Sequence, residues 1–247
     1  MWSVGISASP CADAERIGYD NRQINRIVIR VAQFFLNRDM RVIFGHDWRE
    51  DGVMRAVAEY ASKVAAGAKS FEETSAGVRS RREEDKEQAR MLNVVPTERE
   101  SLNRAALDAE HDGGGVLRVI STRERFWEET WEQNRSAELT VLRKWITGLL
   151  DPGCRICLGG KEKGYEGVEP GVMEEARIAL QCEKPLYLLG GFGGATRSFG
   201  ENDVYGSSKY WLSDNGLGEE VKRELFDTTD IERALRIISN GISELKD

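Results

Sequence analysis

The segment from Arg155 to Thr196 constrains the fold more than any other part of this sequence. It contains two short apolar runs, one around Ile156 and one from Pro185 to Leu189, and each run ends in a cluster of glycines. A helical pattern follows each cluster. Strands that stop in glycines before a helix are typical of an open parallel α/β sheet, whose ligands bind beyond the carboxyl ends of the strands.

The glycines and their charged neighbours predict a binding site at these strand ends. Glycine lets the backbone approach a ligand closely, and a helix N-terminus presents unpaired N–H groups and a positive dipole end to phosphate. We expect the glycines to line a pocket, the lysines to neutralise phosphate and a glutamate to hold ribose hydroxyls. The residues concerned are Gly159, Gly160, Lys161, Lys163, Glu174, Glu175, Gly190, Gly191 and Gly193.

The same glutamates also have a purely structural interpretation. In the first turn of a helix, Glu174 and Glu175 complement the helix dipole, and Pro170 suits the first helical positions. A cap of this kind does not require glycine clusters at two separate strand ends. The glycines therefore favour a site that binds a nucleotide-like molecule.

Other predicted strand-to-helix junctions supply further candidates. Gly45 follows a predicted strand, and Gly52 lies at the entrance of the next helix, where it would admit a phosphate. Ser7 ends the first predicted strand. Arg143, on a helix predicted from about residue 125 to 150, either extends toward the crevice or pairs with a surface acid.

Composition narrows the function classes. The 247 residues fit one α/β domain, and their hydrophobic content of 40% and charged content of 31% are ordinary for a globular protein. A net charge of -7 argues against general nucleic-acid binding.

No apolar run approaches the roughly 20 residues of a membrane span. The start, MWSVGISASP, is not expected to be a signal peptide, so a cytoplasmic location is predicted.

We expect neither a metal nor a cofactor. Cys154 and Cys157 form a C-x-x-C pair, but a zinc site needs a second pair or histidines at ligand spacing. Phosphate-loop and nucleophile-elbow motifs are also absent from the sequence.

The order of the junctions predicts an α/β fold, an open parallel sheet of about five strands with helices on both faces. We expect residues 1–247 to form a single domain. The polar stretch from about 65 to 115 contains the charged run at residues 80–87 and is predicted to be an insertion of helix and loop outside the core.

Two stretches, LGGKEKGYEGVEPGVMEEARIAL and KPLYLLGGFGGATRSF, resemble the SLOG superfamily. This Rossmann-like group is related to the DNA-processing protein Smf/DprA and to the LOG phosphoribohydrolases. The resemblance is closest to prokaryotic branches associated with defence systems and to the nucleotide-sensing region of TRPM channels. It implies binding of an NAD-derived or ADP-ribose-like nucleotide, in a defence or signalling context.

One departure from the family pattern bears on activity. LOG-type hydrolases carry P-G-G-x-G-T-x-x-E, whereas this chain has the run from Pro170 to Glu175, PGVMEE, without the second glycine and the threonine. We therefore favour ligand binding. The alternative is an enzyme that hydrolyses the N-glycosidic bond of a nucleotide, with Glu174 or Glu175 stabilising an oxocarbenium-like transition state or activating water.

The resemblance also implies assembly, because SLOG-like domains often pair. We expect a homodimer with the helix from about 125 to 150 at the interface. The large apolar residues available there are Phe126, Trp127, Trp131, Trp145 and Leu149. The alternative is that the core of the monomer buries all of them. Since one such domain fills the 247 residues, any effector is expected to be a separate partner protein.

Overall fold

The computed structural model describes residues 1–45, 47–48, 50, 52–74, 90–95, 100–112, 116–121, 135–202 and 207–246. Its strands are β1 (Ser3–Ser9), β2 (Arg41–Phe44), β3 (Met91–Val95), β4 (Leu117–Ser121), β5 (Gly153–Gly159) and β6 (Leu186–Leu189). The helices that precede β5 are α1 (Ala12–Arg16), α2 (Asn21–Leu36), α3 (Val53–Thr74), α4 (Glu100–Asp112) and α5 (Arg135–Gly148). Those that follow it are α6 (Gly171–Gln181), α7 (Gly194–Glu201), α8 (Ser207–Leu212), α9 (Glu219–Asp227) and α10 (Ile231–Glu244), with a 3-10 turn at Gly190–Phe192.

The strands form one parallel sheet in the order β4-β3-β2-β1-β5-β6. β1 lies in the interior of the sheet, where Ser3 is in register with Arg41 on one side and with Gly153 on the other. The chain steps outward from β1 to β4 and then returns to the opposite side of β1. In open α/β sheets the crevice at such a reversal of strand order is where ligands bind.

Successive strand residues pack on opposite faces, and helices cover both. In β2, Val42 and Phe44 belong to a core cluster with α2, α3, α4 and α10, whereas Ile43 packs with Leu142 and Ile146 of α5. In β5, Cys157 packs with α6 and α7 instead. The predicted α/β fold with helices on both faces is therefore confirmed.

Local sequence explains the helix boundaries that frame this core. The side chain of Asp20 accepts a hydrogen bond of 2.8 Å from the Gln23 N–H and so caps α2. Asp230 does the same for α10 through the N–H groups of Glu232 and Arg233. Both helices then bury apolar residues at helical spacing, which holds them against the sheet.

The structure corrects one expectation about the region from 65 to 115. Met91–Val95 forms β3, all five of its residues are buried, and it pairs with β2 and β4, so this part of the supposed insertion lies inside the core. Within the described residues the sheet accordingly has six strands instead of about five. The sequence of β3, MLNVV, is the nearly continuous apolar run expected of a strand buried on both faces. The prediction missed it because charged stretches precede and follow these five residues. The charged run at 80–87 lies outside the described residues. That residues 1–247 form a single domain stays a prediction.

Candidate functional site

A cavity of about 320 Å³ opens where β1, β2 and β5 end. This volume is at the lower end of the range for small-molecule sites, about 300–1,000 Å³. Its lining combines residues from β1, the segment after β2, α5, the loop after β5 and the first turn of α6. It therefore lies at the reversal of strand order. Five of the predicted site residues line it: Ser7, Gly45, Arg143, Lys161 and Glu175.

Glu175 is held in place by a network beneath the cavity. Its Oε2 accepts hydrogen bonds from the Ser7 hydroxyl and, at 2.9 Å, from Nη1 of Arg155. The same Nη1 donates to the Ser7 hydroxyl oxygen at 2.7 Å, and Nη2 donates to Thr147 at 3.0 Å. The Arg155 side chain is only 1% exposed, so its charge is balanced by Glu175 inside the protein. The geometry fixes the carboxylate before any ligand binds.

Glu174 has a different environment from that of its neighbour. One of its oxygens accepts a hydrogen bond from the Thr140 hydroxyl and the other from Nη1 of Arg143, and its side chain is 3% exposed. Both oxygens are thus engaged by α5. Glu174 joins α6 to α5 and is not among the residues that line the cavity.

Arg143 lies between the two glutamates. Besides its contact with Glu174, its Nε lies 4.0 Å from Oε1 of Glu175. It also lies against the start of α6, because a Cβ atom at Gly171 would come within 2.7 Å of its Nη2. Only glycine lets the guanidinium lie this close to the backbone. Pro170 at the N-cap position provides no side-chain acceptor for the first N–H groups of α6.

The second glycine cluster is not brought to this cavity. A Cβ at Gly190 would lie 2.5 Å from the Phe226 ring, and one at Gly191 would lie 2.5 Å from the Thr228 carbonyl oxygen. Gly193 has a φ of +73° and faces Asp13, whose carboxylate accepts a hydrogen bond of 3.1 Å from the Gly194 N–H. The protein's own acid therefore occupies the position at the α7 N-terminus where a phosphate would bind.

The remaining predicted residues lie around the cavity without lining it. Gly159 and Gly160 have φ values of +61° and +99° and let the end of β5 pass close to β1 and α6. Gly52 packs against Asp47, which accepts a hydrogen bond of 3.3 Å from the Val53 N–H and so caps α3. Lys163 is exposed on the loop after β5. Ligand contacts by these residues stay predictions.

The geometry of this crevice agrees with what sequence comparison finds. The model of the SLOG cluster2 family matches residues 1–228, which include all six strands and every residue that lines the cavity. The chain belongs to the SLOG cluster2 family. It is therefore a nucleotide-related, Rossmann-like domain. Among curated proteins, none matches the sequence at a significant level.

Sequence reasoning missed two groups of residues in this SLOG domain. Arg155 is not among the predicted site residues, although an arginine within an apolar strand indicates a paired internal charge. Trp48, 3% exposed, lines the cavity and donates a hydrogen bond of 2.9 Å to Asn93, which in turn donates to the Gly45 carbonyl at 2.9 Å. These two hydrogen bonds fix the position of the segment after β2 where it lines the cavity.

The cysteines of the SLOG domain do not form a metal centre in the described part of the chain. Cys154 and Cys157 are fully buried on opposite faces of the sheet, and no three His, Cys, Asp or Glu side chains come together among the described residues. Burial raises the pKa of both thiols to about 12. Among the helices of the described residues, none combines the length and the hydropathy that a membrane span requires.

Proposed function

We propose that this SLOG domain binds an NAD-derived or ADP-ribose-like nucleotide in the crevice between β1 and β5. The observation that carries the proposal is the convergence on one cavity of four polar residues from distant parts of the sequence, Ser7, Arg143, Lys161 and Glu175. Together they offer hydroxyl, cationic and carboxylate groups, which a ribose phosphate requires. The family, whose members are nucleotide-related, supports the same proposal.

The phosphate is assigned to the side of the cavity formed by α6 and the loop after β5. Gly171 and Val172 bring the N-terminal turn of α6 to the cavity, and Lys161 lies beside it. The charge of Arg143 is already offset by Glu174. Lys161 and the helix N-terminus therefore supply most of the attraction for an anion.

The ribose is assigned to Glu175. Its Oε2 accepts hydrogen bonds from Ser7 and Arg155, whereas Oε1 accepts none within the described residues and lies 4.0 Å from the Arg143 Nε. A carboxylate oxygen fixed in this way can accept a hydrogen bond from a ribose hydroxyl at little cost in side-chain entropy.

Thermal shift and calorimetry against ADP-ribose, its cyclic isomers, NAD and AMP test this proposal. A ligand that binds the folded state raises the melting temperature by mass action. Lys161→Ala should weaken binding by about tenfold or more, because it removes a charge-assisted contact. Lys209→Ala is the matched control, because Lys209 is exposed on α8 and does not line the cavity, and it should bind as wild type does. Folded protein that binds none of these nucleotides would show that the proposal is wrong.

A second candidate is hydrolysis of the N-glycosidic bond of a nucleotide, and one observation favours a particular residue for it. Glu175 lines the cavity, whereas both oxygens of Glu174 are engaged by Thr140 and Arg143. If the domain is an enzyme, Glu175 is the carboxylate that contacts the substrate. Release of free base from the same nucleotides would reveal the activity. Glu175→Gln should abolish it, and retained turnover in this variant would exclude Glu175 from the mechanism.

We further propose that the domain works in the cytoplasm as a homodimer and passes its signal to a separate effector protein. The proposed role in prokaryotic antiviral defence rests on the family resemblance. Of the apolar residues expected at the interface, Phe126, Trp127 and Trp131 lie outside the described residues. Trp145 and Leu149 are half-buried and pack against the core cluster that contains Leu142 and Ile146 of α5. Light scattering with and without ADP-ribose tests the assembly, and a monomer at micromolar concentration in both conditions would contradict it.

A further inference from the structure

The loop between β5 and α6 borders the cavity and is fastened near both of its ends. Glu162 accepts a hydrogen bond from the Ser198 hydroxyl of α7, and Glu169 pairs with Arg177 of α6, whose Nε lies 2.8 Å from Oε1. Between these two attachments the residues are mostly exposed. The loop is therefore held at the mouth of the cavity without being buried in the core.

Tyr165 lies between the two attachments. It lines the cavity, yet it is 41% exposed. In the described part of the chain, no aromatic ring stacks on it and its hydroxyl has no hydrogen-bond partner. Two glycines, Gly164 and Gly167, flank the short stretch that contains Tyr165. Gly164 has a φ of +68° and open space around it. The Tyr165 ring therefore borders the cavity with no stacking contact and no hydrogen bond from the described residues.

We propose that Tyr165 is the base-stacking residue of the crevice and sets its preference for nucleotides over base-free sugar phosphates. This inference rests on the proposed function. With the phosphate at Lys161 and the ribose at Glu175, the base is assigned to the part of the cavity that the half-exposed Tyr165 ring lines. Leu139 and Leu142 of α5 add apolar surface to the same cavity. Every base has a π face, so stacking on an aromatic ring needs no further hydrogen bond.

Calorimetry with AMP, ADP-ribose and ribose 5-phosphate tests this assignment on wild type and three loop variants. Tyr165→Ala should bind AMP and ADP-ribose about 5- to 100-fold more weakly, the usual effect of losing one stacked base. Its affinity for ribose 5-phosphate should not change. Tyr165→Phe keeps the ring and should stay within about twofold of wild type.

Val168→Ala is the matched control, because Val168 is 78% exposed on the same loop and does not line the cavity. Unchanged AMP binding by Tyr165→Ala would overturn the inference while leaving the proposed function intact. An equal loss for ribose 5-phosphate would overturn it as well, since the residue would then act on the loop and not on the base. Wild type that binds neither nucleotide would overturn the proposed function, and this inference with it.

Discussion

The position of Arg143 depends on the absence of a side chain at Gly171. Because a Cβ atom there would lie 2.7 Å from Nη2, Gly171→Ala must displace a guanidinium that Glu174 holds in a buried ion pair. We expect this variant to fold and to bind nucleotide at least several-fold more weakly in calorimetry. Gly148→Ala is its control. Gly148 is exposed at the end of α5 with open space around it, so alanine there should leave binding unchanged.

Two of the ion pairs of α6, Glu174 with Arg143 and Arg177 with Glu169, should differ sharply in their effect on stability. Glu174→Gln removes the closer of the two carboxylates beside the buried Arg143 charge and leaves only the 4.0 Å contact with Glu175, which should lower the free energy of unfolding by about 3 kcal/mol. Glu169→Gln breaks the more exposed pair with Arg177 and should cost less than about 1 kcal/mol. Urea unfolding at neutral pH measures both. Equal losses would contradict the distinction between a buried and a surface pair.

The sequence indicates those parts of the cavity that follow from strand ends and helix starts. Lys161 and Glu175, both predicted on this basis, line the cavity because the end of β5 and the start of α6 meet at one edge of the sheet. Arg155 could not be assigned a partner, since its ion pair depends on the tertiary position of α6. Tyr165 carried no signal, because the sequence does not show which side of an exposed loop faces a cavity.

The junction between the 3-10 turn and α7 depends on an element from the other end of the chain. Gly193→Ala would combine an unfavourable positive φ with a steric conflict against Asp13, so it should destabilise the protein well beyond 1 kcal/mol. Gly164→Ala has a similar φ of +68° but open space around it and should cost only about 1 kcal/mol. Chemical unfolding separates the two costs.

Nucleotide affinity should be unchanged in folded Gly193→Ala protein. A selective loss of binding, with stability retained, would instead support the ligand contact that the sequence predicted for this glycine.

Elements with strong periodicity were predictable, and elements defined by their neighbours were not. The apolar residues of α2 recur at helical spacing, and Gly45 marks the end of β2, so both elements can be predicted from the sequence. β3 was missed because five residues between charged stretches gain their burial only from pairing with β2 and β4. The second glycine cluster correctly predicted the end of β6. Only the fold shows that the Asp13 carboxylate lies at the N-terminus of α7 beside this cluster.

The whole molecule should lose stability at alkaline pH because of thiols in its core. Burial raises the pKa of Cys154 and Cys157 from 9.0 to about 12. Above pH 9 the unfolded chain releases these protons while the folded protein keeps them. The stability present below pH 9 is therefore lost as pH rises toward 12, by up to about 1.4 kcal/mol per pH unit for each thiol. Burial also raises the pKa of Tyr187 and Tyr210, which acts in the same direction.

Urea unfolding between pH 7 and pH 11 in the presence of a reductant measures this slope. Cys157→Ala should make the slope shallower, whereas Cys182→Ala, at an exposed position, should not change it. A free energy of unfolding that stays level above pH 9 in wild type would contradict the assignment.

The place of β1 inside the sheet has a consequence for how the protein is made. β1 and β2 leave the ribosome close together, but β5, which pairs with β1 along seven residues, begins only at Gly153. The edge of β1 that pairs with β5 therefore stays unpaired until these residues have been synthesised. The crevice between β1 and β5 forms only then, so we expect a nascent chain that ends within α5 to lack the proposed nucleotide binding.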